Sequence, residues 1–305
     1  MNSEAAPDPA GTGSGNAGPT FGLLAATAVW GATFVTVKDA LAASDTFTFL
    51  TLRFAAGALA AAVLSVAIAP WAPVEQRGFS RTLLRPGLVL GVLLFGGYAL
   101  QTLGLETTTP ARSAFITGLT VIFVPFVSWR LDRKRPPVRA FVAPLVAVIG
   151  LQQLTGVSWS SSIPLGDALT LGCAVVYAGH IAAMGRYAKG LPALPLTAVQ
   201  LGVVALLSAG TLPFVARRFV PTTGYVGAVV FTGVVASALA LGLQAWAQRR
   251  LSAARAAVIY SLEPVFALGW AVVTGLGWPT AAELVGGAFI LAAVLISEVE
   301  FKRAT

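Results

Sequence analysis

Charge is scarce in this chain. Of its 305 residues only 10% are Asp, Glu, Lys or Arg, 56% are hydrophobic, and the mean hydropathy is +0.81. A soluble domain carries roughly a quarter charged residues, because its surface must face water. So little charge excludes an ordinary soluble domain and makes the bilayer the natural solvent. Cysteine is nearly absent: Cys173 stands alone in an apolar run, which rules out an intrachain disulfide and reads as a small core residue. There is one histidine, His180, and no His-Glu-x-x-His, so a conventional zinc site is excluded. A Gly-rich phosphate loop with a following Lys is missing, which removes ATP as the energy source, and no Ser sits in a nucleophile elbow. No enzyme activity, cofactor or metal is therefore expected. The first twenty residues hold Glu4 and Asp8 but no Lys or Arg. They lack the basic start of a signal peptide and read as a disordered tail.

What the chain has in abundance is apolar segments of bilayer-spanning length, about 18–24 residues. They fall near Thr20–Val37, Phe47–Ala69, Pro86–Leu105, Ser113–Trp129 and Val138–Thr155. After a loop at Gly156–Gly166 come Asp167–Met184, Pro195–Val215, Thr223–Ala247, Ala254–Gly275 and Ala281–Val299. The runs are continuously apolar rather than alternating, which argues against a barrel. The expected fold is an all-α polytopic membrane protein of about ten helices.

The net charge of +8 and pI near 10.3 could suggest nucleic acid. The basic residues, however, lie in short gaps between apolar runs, a pattern of membrane orientation. With a cytoplasmic N-terminus the inward gaps hold fifteen: Arg77, Arg81, Arg85, Arg130, Arg133, Lys134, Arg135, Arg139, Arg186, Lys189, Arg249, Arg250, Arg255, Lys302 and Arg303. The outward gaps hold four: Lys38, Arg112, Arg217 and Arg218. That bias supports an even number of helices with both termini cytoplasmic, and the cell (inner) membrane is the expected location. The expected partners are a small-molecule substrate and the lipid bilayer, without nucleic acid; a homodimer is left open.

Five helices per half is an odd number, so the halves would enter the membrane in opposite senses. Weak internal similarity agrees. Ala111-Arg112-Ser113-Ala114-Phe115-Ile116 overlays Ala254-Arg255-Ala256-Ala257-Val258-Ile259, and the same offset pairs Gln101 with Gln244. Ala28-Val29-Trp30-Gly31 can be laid on Val175-Val176-Tyr177-Ala178. An inverted repeat is a transporter architecture with its site between the halves. The expected units are a tail (1–19), a first five-helix repeat (20–155), a connecting loop (156–166), a second repeat (167–299) and a short tail (300–305). Four-spaced small residues, Ala174, Ala178 and Ala182 on the sixth helix and Gly57 with Ala61 on the second, read as close-packing stripes.

Several stretches carry a family resemblance. They are Tyr260-Ser261-Leu262-Glu263-Pro264-Val265-Phe266-Ala267 followed by Gly286-Gly287-Ala288-Phe289-Ile290-Leu291, together with Ala28–Phe34, Leu52-Arg53-Phe54 and Phe115-Ile116-Thr117-Gly118-Leu119. In order and spacing they resemble an EamA-type domain of the drug/metabolite transporter superfamily, in two copies from Phe21 to Ser297. The resemblance implies ten helices, cytoplasmic termini and a central substrate cavity, and members often export amino acids or other small metabolites while some take up nucleotide sugars or other solutes. The family's Gly-Glu pattern after the fourth and ninth helices is altered: Asp132 stands in once, and Gly275-Leu276-Gly277-Trp278 lacks the acid.

Ionisable groups at membrane depth cost roughly 2.5–3.5 kcal/mol, so each asks for a reason. Glu263, before Pro264 in the ninth helix, is either a coupling carboxylate or a structural acceptor. His180 can carry protons or bind a carboxylate, or simply be hydrogen-bonded in the core. Tyr177, one turn before it, and Trp30 would line the same cavity or merely pack. Arg53 could clamp a carboxylate substrate, though snorkelling or pairing with Glu106 is the favoured reading. Gln101 and Gln244 offer neutral hydrogen bonds. The expected substrate site is Trp30, Tyr98, Gln101, Tyr177, His180, Gln244 and Tyr260, with Glu263 coupling. The function expected is secondary active transport by alternating access, most plainly amino-acid export, with a passive channel or facilitator as the alternative.

Overall fold

The computed structural model describes residues 16–74, 77–133, 135, 141–157, 163–216, 218–273, 275 and 278–302, without side chains beyond residue 297. Residues 1–15 of the expected N-terminal tail, residues 158–162 of the expected 156–166 loop and the last three residues lie outside them. Lys134, Arg139, Arg217 and Arg303, which entered the orientation argument, do so too.

The described chain is helical. It runs α1 (Ala17–Gly31), α2 (Thr33–Ala43), α3 (Thr46–Ile68), α4 (Leu84–Thr107), α5 (Pro110–Gly118), α6 (Thr120–Asp132) and α7 (Val142–Thr155). Then follow α8 (Leu165–Tyr187), α9 (Ala193–Thr211), α10 (Thr223–Val230), a π-helical stretch (Phe231–Leu239), α11 (Ala240–Ala247), α12 (Ala253–Tyr260), α13 (Glu263–Val273) and α14 (Ala281–Lys302). Joined where they are collinear, these make eight segments long and apolar enough to cross a membrane, and two shorter apolar ones, Val142–Thr155 and Ala281–Ser297. Ten is therefore an approximate count among the described residues.

Large apolar side chains point outward along the bundle, among them Leu59, Val66, Leu206 and Leu295. On a soluble protein such a belt would be an aggregation surface; against lipid tails it costs nothing. The halves interlock. The most extensive packing joins α7 to α14, α3 to α9 and α4 to α8, each pair taking one helix from either half. Small residues permit this. A Cβ on Gly150 would stand 2.7 Å from the Gly286 carbonyl, and one on Gly57 would stand 2.8 Å from the Gly233 carbonyl. The stripe Ala174, Ala178 and Ala182 is buried, and so is Cys173.

Hydroxyl caps start corresponding helices in the two halves. Thr109 accepts from the Arg112 backbone N–H at 3.3 Å ahead of α5, and Ser252 accepts from the Arg255 N–H at 3.3 Å ahead of α12. At the end of the bundle that holds Asp45, the halves are tied by polar contacts. Asp45 accepts from Thr48 at 2.9 Å and from the Arg218 backbone at 3.1 Å. Arg218 also donates to the Leu41 and Ser44 carbonyls, beside an isolated antiparallel bridge between Ser44 and Phe219. Asp167 accepts from Thr108 at 2.6 Å and pairs with Arg112.

Candidate functional site

Four of the described membrane segments are irregular, and residues beside three of the irregularities line one cavity. The first breaks at Ala32, between α1 and α2; the fourth at Leu119, between α5 and α6; the ninth at Ser261–Leu262, between α12 and α13. The eighth contains the π-helical stretch. Non-helical backbone at membrane depth is tolerated only where protein buries it or a cavity receives it. Here a central cavity lies between the breaks, with about 90 Å³ open to the centres of water-sized molecules, enough for a few waters or one small group.

The ninth-segment break has a chemical cause. Pro264 lacks the N–H that would reach the Tyr260 carbonyl, so α12 ends at Tyr260 and a new helix starts at Glu263. Glu263 thus occupies the first turn of α13, where the helix dipole favours a negative charge. Gly31 lets α13 come this close: a Cβ there would lie 2.8 Å from both the Glu263 carbonyl and the Ala267 N–H nitrogen. The carboxylate is half-buried, borders the cavity, and has no hydrogen bond or ion pair among the described residues.

All eight residues expected at the site border this one cavity. The Trp30 indole donates to the Ala236 carbonyl in the π-helical stretch at 2.8 Å, and its ring meets Tyr260 edge-on, centroids 5.3 Å apart. The Tyr260 hydroxyl is enclosed and has no partner among the described residues. Tyr98 and Tyr177 pack edge-on at 5.5 Å. Tyr177 donates to the Gln101 carbonyl oxygen at 3.3 Å, while the Gln101 amide donates to Thr117 at 3.1 Å. Tyr177 is seated against Gly97, where any Cβ would overlap its ring. The His180 ring nitrogen Nε2 lies 3.0 Å from Gln200 Oε1. Gln244 donates to Gln248, which donates on to the Ile181 carbonyl, at 2.8 and 3.0 Å.

Thr117, Thr120 and Ser261 also line the cavity, and sequence reasoning did not single them out. Gly118, immediately before the Leu119 break, was the available signal. Gln200 was missed as well; its link to His180 spans two helices that no motif connects.

Arg53 corrects the sequence expectation. It neither snorkels nor pairs with Glu106 but is 2% exposed. Its Nε donates to Ser237 at 3.2 Å and Nη2 to the Tyr98 hydroxyl at 3.4 Å, with the guanidinium 4.6 Å from the Tyr98 ring centre. Glu106 instead accepts from Thr46 at 2.7 Å. Arg53 lies two turns, about 10 Å, deeper along α3 than Thr46. The Gly57–Gly233 crossing brings the π-helical stretch within its reach instead.

The comparisons with known proteins agree with this geometry. The model of the EamA-like transporter family matches residues 18–155 and again residues 164–298. The chain belongs to the EamA-like transporter family. It is 31% identical over 276 residues to an uncharacterized transporter of Archaeoglobus fulgidus, covering 90% of this chain and 84% of the relative. A solved structure, titled only as the crystal structure of a protein, superposes with a TM-score of 0.78 at 20% identity. That match covers 92% of this chain and 98% of the other, and at such identity it speaks for the fold. A multi-pass membrane protein of this EamA family is a transporter, and its two matched segments are the two repeats.

Proposed function

We propose that this EamA-family transporter is a secondary active transporter of small organic metabolites, exporting amino acids or related compounds. It sits in the cell (inner) membrane with both termini cytoplasmic, as its distribution of Lys and Arg favours. One observation carries the reading: the central cavity lies where broken helices of both halves meet and holds a carboxylate with no partner among the described residues. Discontinuous helices around a midplane cavity are the usual seat of substrate and coupling ion in transporters built from inverted repeats. Glu263 is the coupling group, giving up a proton when substrate occupies the cavity and regaining one when it leaves.

Alternating access follows from the interlocked halves. Rocking would open the cavity at one end while contacts at the other hold. The polar ties between the halves around Asp45–Arg218 and Arg112–Asp167 suit one such gate.

The test is uptake of a mixed amino-acid and metabolite panel into proteoliposomes, with and without a pH gradient, read by mass spectrometry. Saturable, gradient-dependent enrichment and counterflow are expected. Single-channel currents, or flux without counterflow, would replace the reading with a channel.

A further inference from the structure

The charge inventory of the cavity is lopsided. Among the described residues Glu263 is the one lining side chain with a full formal charge; no Lys or Arg lines the cavity, and the His180 ring is tied to Gln200. The Glu263 carboxylate makes no ion pair or hydrogen bond among the described residues. A carboxylate at this depth is costly without a countercharge.

Aromatic rings form the walls beside it. Trp30 and Tyr260 meet at 68° with centroids 5.3 Å apart, and Tyr98 and Tyr177 at 77° and 5.5 Å. Rings set nearly at right angles give two-sided corners, and a ring face carries the negative end of its quadrupole. A corner of this kind attracts an ammonium group; the Tyr98 ring already carries the Arg53 guanidinium, which leaves the Trp30–Tyr260 corner for a ligand. The Tyr260 hydroxyl, without a partner among the described residues, and the Gln101 amide add neutral hydrogen-bonding capacity.

The buried cation Arg53 does not redress the balance. It is not among the cavity-lining residues, and it is already engaged by Ser237, the Tyr98 hydroxyl, and the Tyr98 and Phe54 rings at 4.6 and 5.1 Å. The carboxylate of a zwitterionic substrate would find no cation in the cavity. It would also approach Glu263, a like charge, in a medium where such repulsion is weakly screened.

We infer that the cavity recognises an ammonium group, and that its preferred ligand is a small organic amine bearing no carboxylate: Glu263 is the counter-ion and the Trp30–Tyr260 corner beside it is the cage. This rests on the transport reading and narrows it. An amino acid would be held by its ammonium end alone, and removing or masking its carboxylate improves binding.

The experiment uses the purified full-length protein in detergent and titrates matched trios by calorimetry. One trio is isoamylamine, leucine and 4-methylpentanoate; the other is phenethylamine, phenylalanine and 3-phenylpropionate. In at least one trio the amine is expected to bind about tenfold or more tighter than the amino acid, because the amino acid also brings an uncompensated carboxylate towards Glu263. The acid is expected not to bind. Glu263→Gln should lower amine affinity by a similar factor, and Glu263→Asp should restore part of it, in variants that elute as monodisperse peaks. An amino acid binding as tightly as its amine in both trios, an acid that binds, or no amine binding at all would overturn the inference. Saturable uptake of other solutes by the same preparation would leave the transport reading standing in any of those cases.

Discussion

Gly31→Ala adds one methyl group at the point where the first and ninth segments cross. That carbon would be placed 2.8 Å from the Glu263 carbonyl oxygen and from the Ala267 nitrogen, and 3.0 Å from Phe266 Cβ. Two of these are backbone atoms, which cannot rotate away as a side-chain tip can. Ordinary contact begins near 3.4 Å, so α13 must move by about 0.6 Å against a close-packed interior. Overpacking of this kind costs about 1–3 kcal/mol, and the displaced turn is the one that carries Glu263. Gly269→Ala on the same helix is the control, since nothing lies within 4 Å of its Cβ. There the helix propensity of Ala over Gly should help by up to about 1 kcal/mol. Thermal unfolding in detergent and uptake in proteoliposomes read both variants. Gly31→Ala should melt lower and transport more slowly, and Gly269→Ala should match or exceed the parent. Equal stability and activity in the two would refute the close crossing.

Arg53→Lys should destabilise by about 1–3 kcal/mol in thermal or denaturant unfolding, because an ammonium cannot reproduce the guanidinium stacked on Tyr98 while bonded to Ser237; an unchanged melt would contradict that geometry. Asp167→Ala strands Thr108 and Arg112, with Arg112 partly solvated, so a loss of about 2 kcal/mol is expected. A change within error would show that the pair contributes nothing to closing that end. Asp45 lies between segments, and its carboxyl is held below the reference value of 3.8: burial pushes upward, but hydrogen bonds from Thr48 and the Arg218 backbone outweigh it. A depressed native value gives stability that is full above the unfolded value and lost as pH falls through the native one. The gap in melting temperature between the parent and Asp45→Asn should therefore hold from pH 7 to about 5 and shrink below about 4. A gap that stays constant down to pH 3 would contradict the sign.

The membrane character and the two-repeat plan were legible because they rest on quantities that add along the chain: apolar run length, charge spacing and an internal offset. The cavity residues were legible for a related reason. Each is a polar or aromatic group stranded in an apolar run, and most such groups can be satisfied only by facing inward. Arg53 was misread because one of its partners, Ser237, comes from a π-helical stretch that the sequence does not announce, and the other, Tyr98, from a helix that no motif connects to it; the Ser237 hydroxyl donates to the Thr232 carbonyl five residues back within that stretch. The break at Leu119 was hidden for want of a nearby proline, while its counterpart before Pro264 was open to view. Gln200 could not be read because its link to His180 depends on how α8 and α9 pack.

Gradient-driven accumulation by Glu263→Gln, beside the parent protein in matched proteoliposomes, tests most directly whether this cavity couples and carries the substrate. With an imposed pH gradient the parent should accumulate substrate above its equilibrium level, and the folded variant should not. Accumulation by Glu263→Gln at the parent's rate and extent would contradict the coupling role of Glu263 and the mechanism built on it.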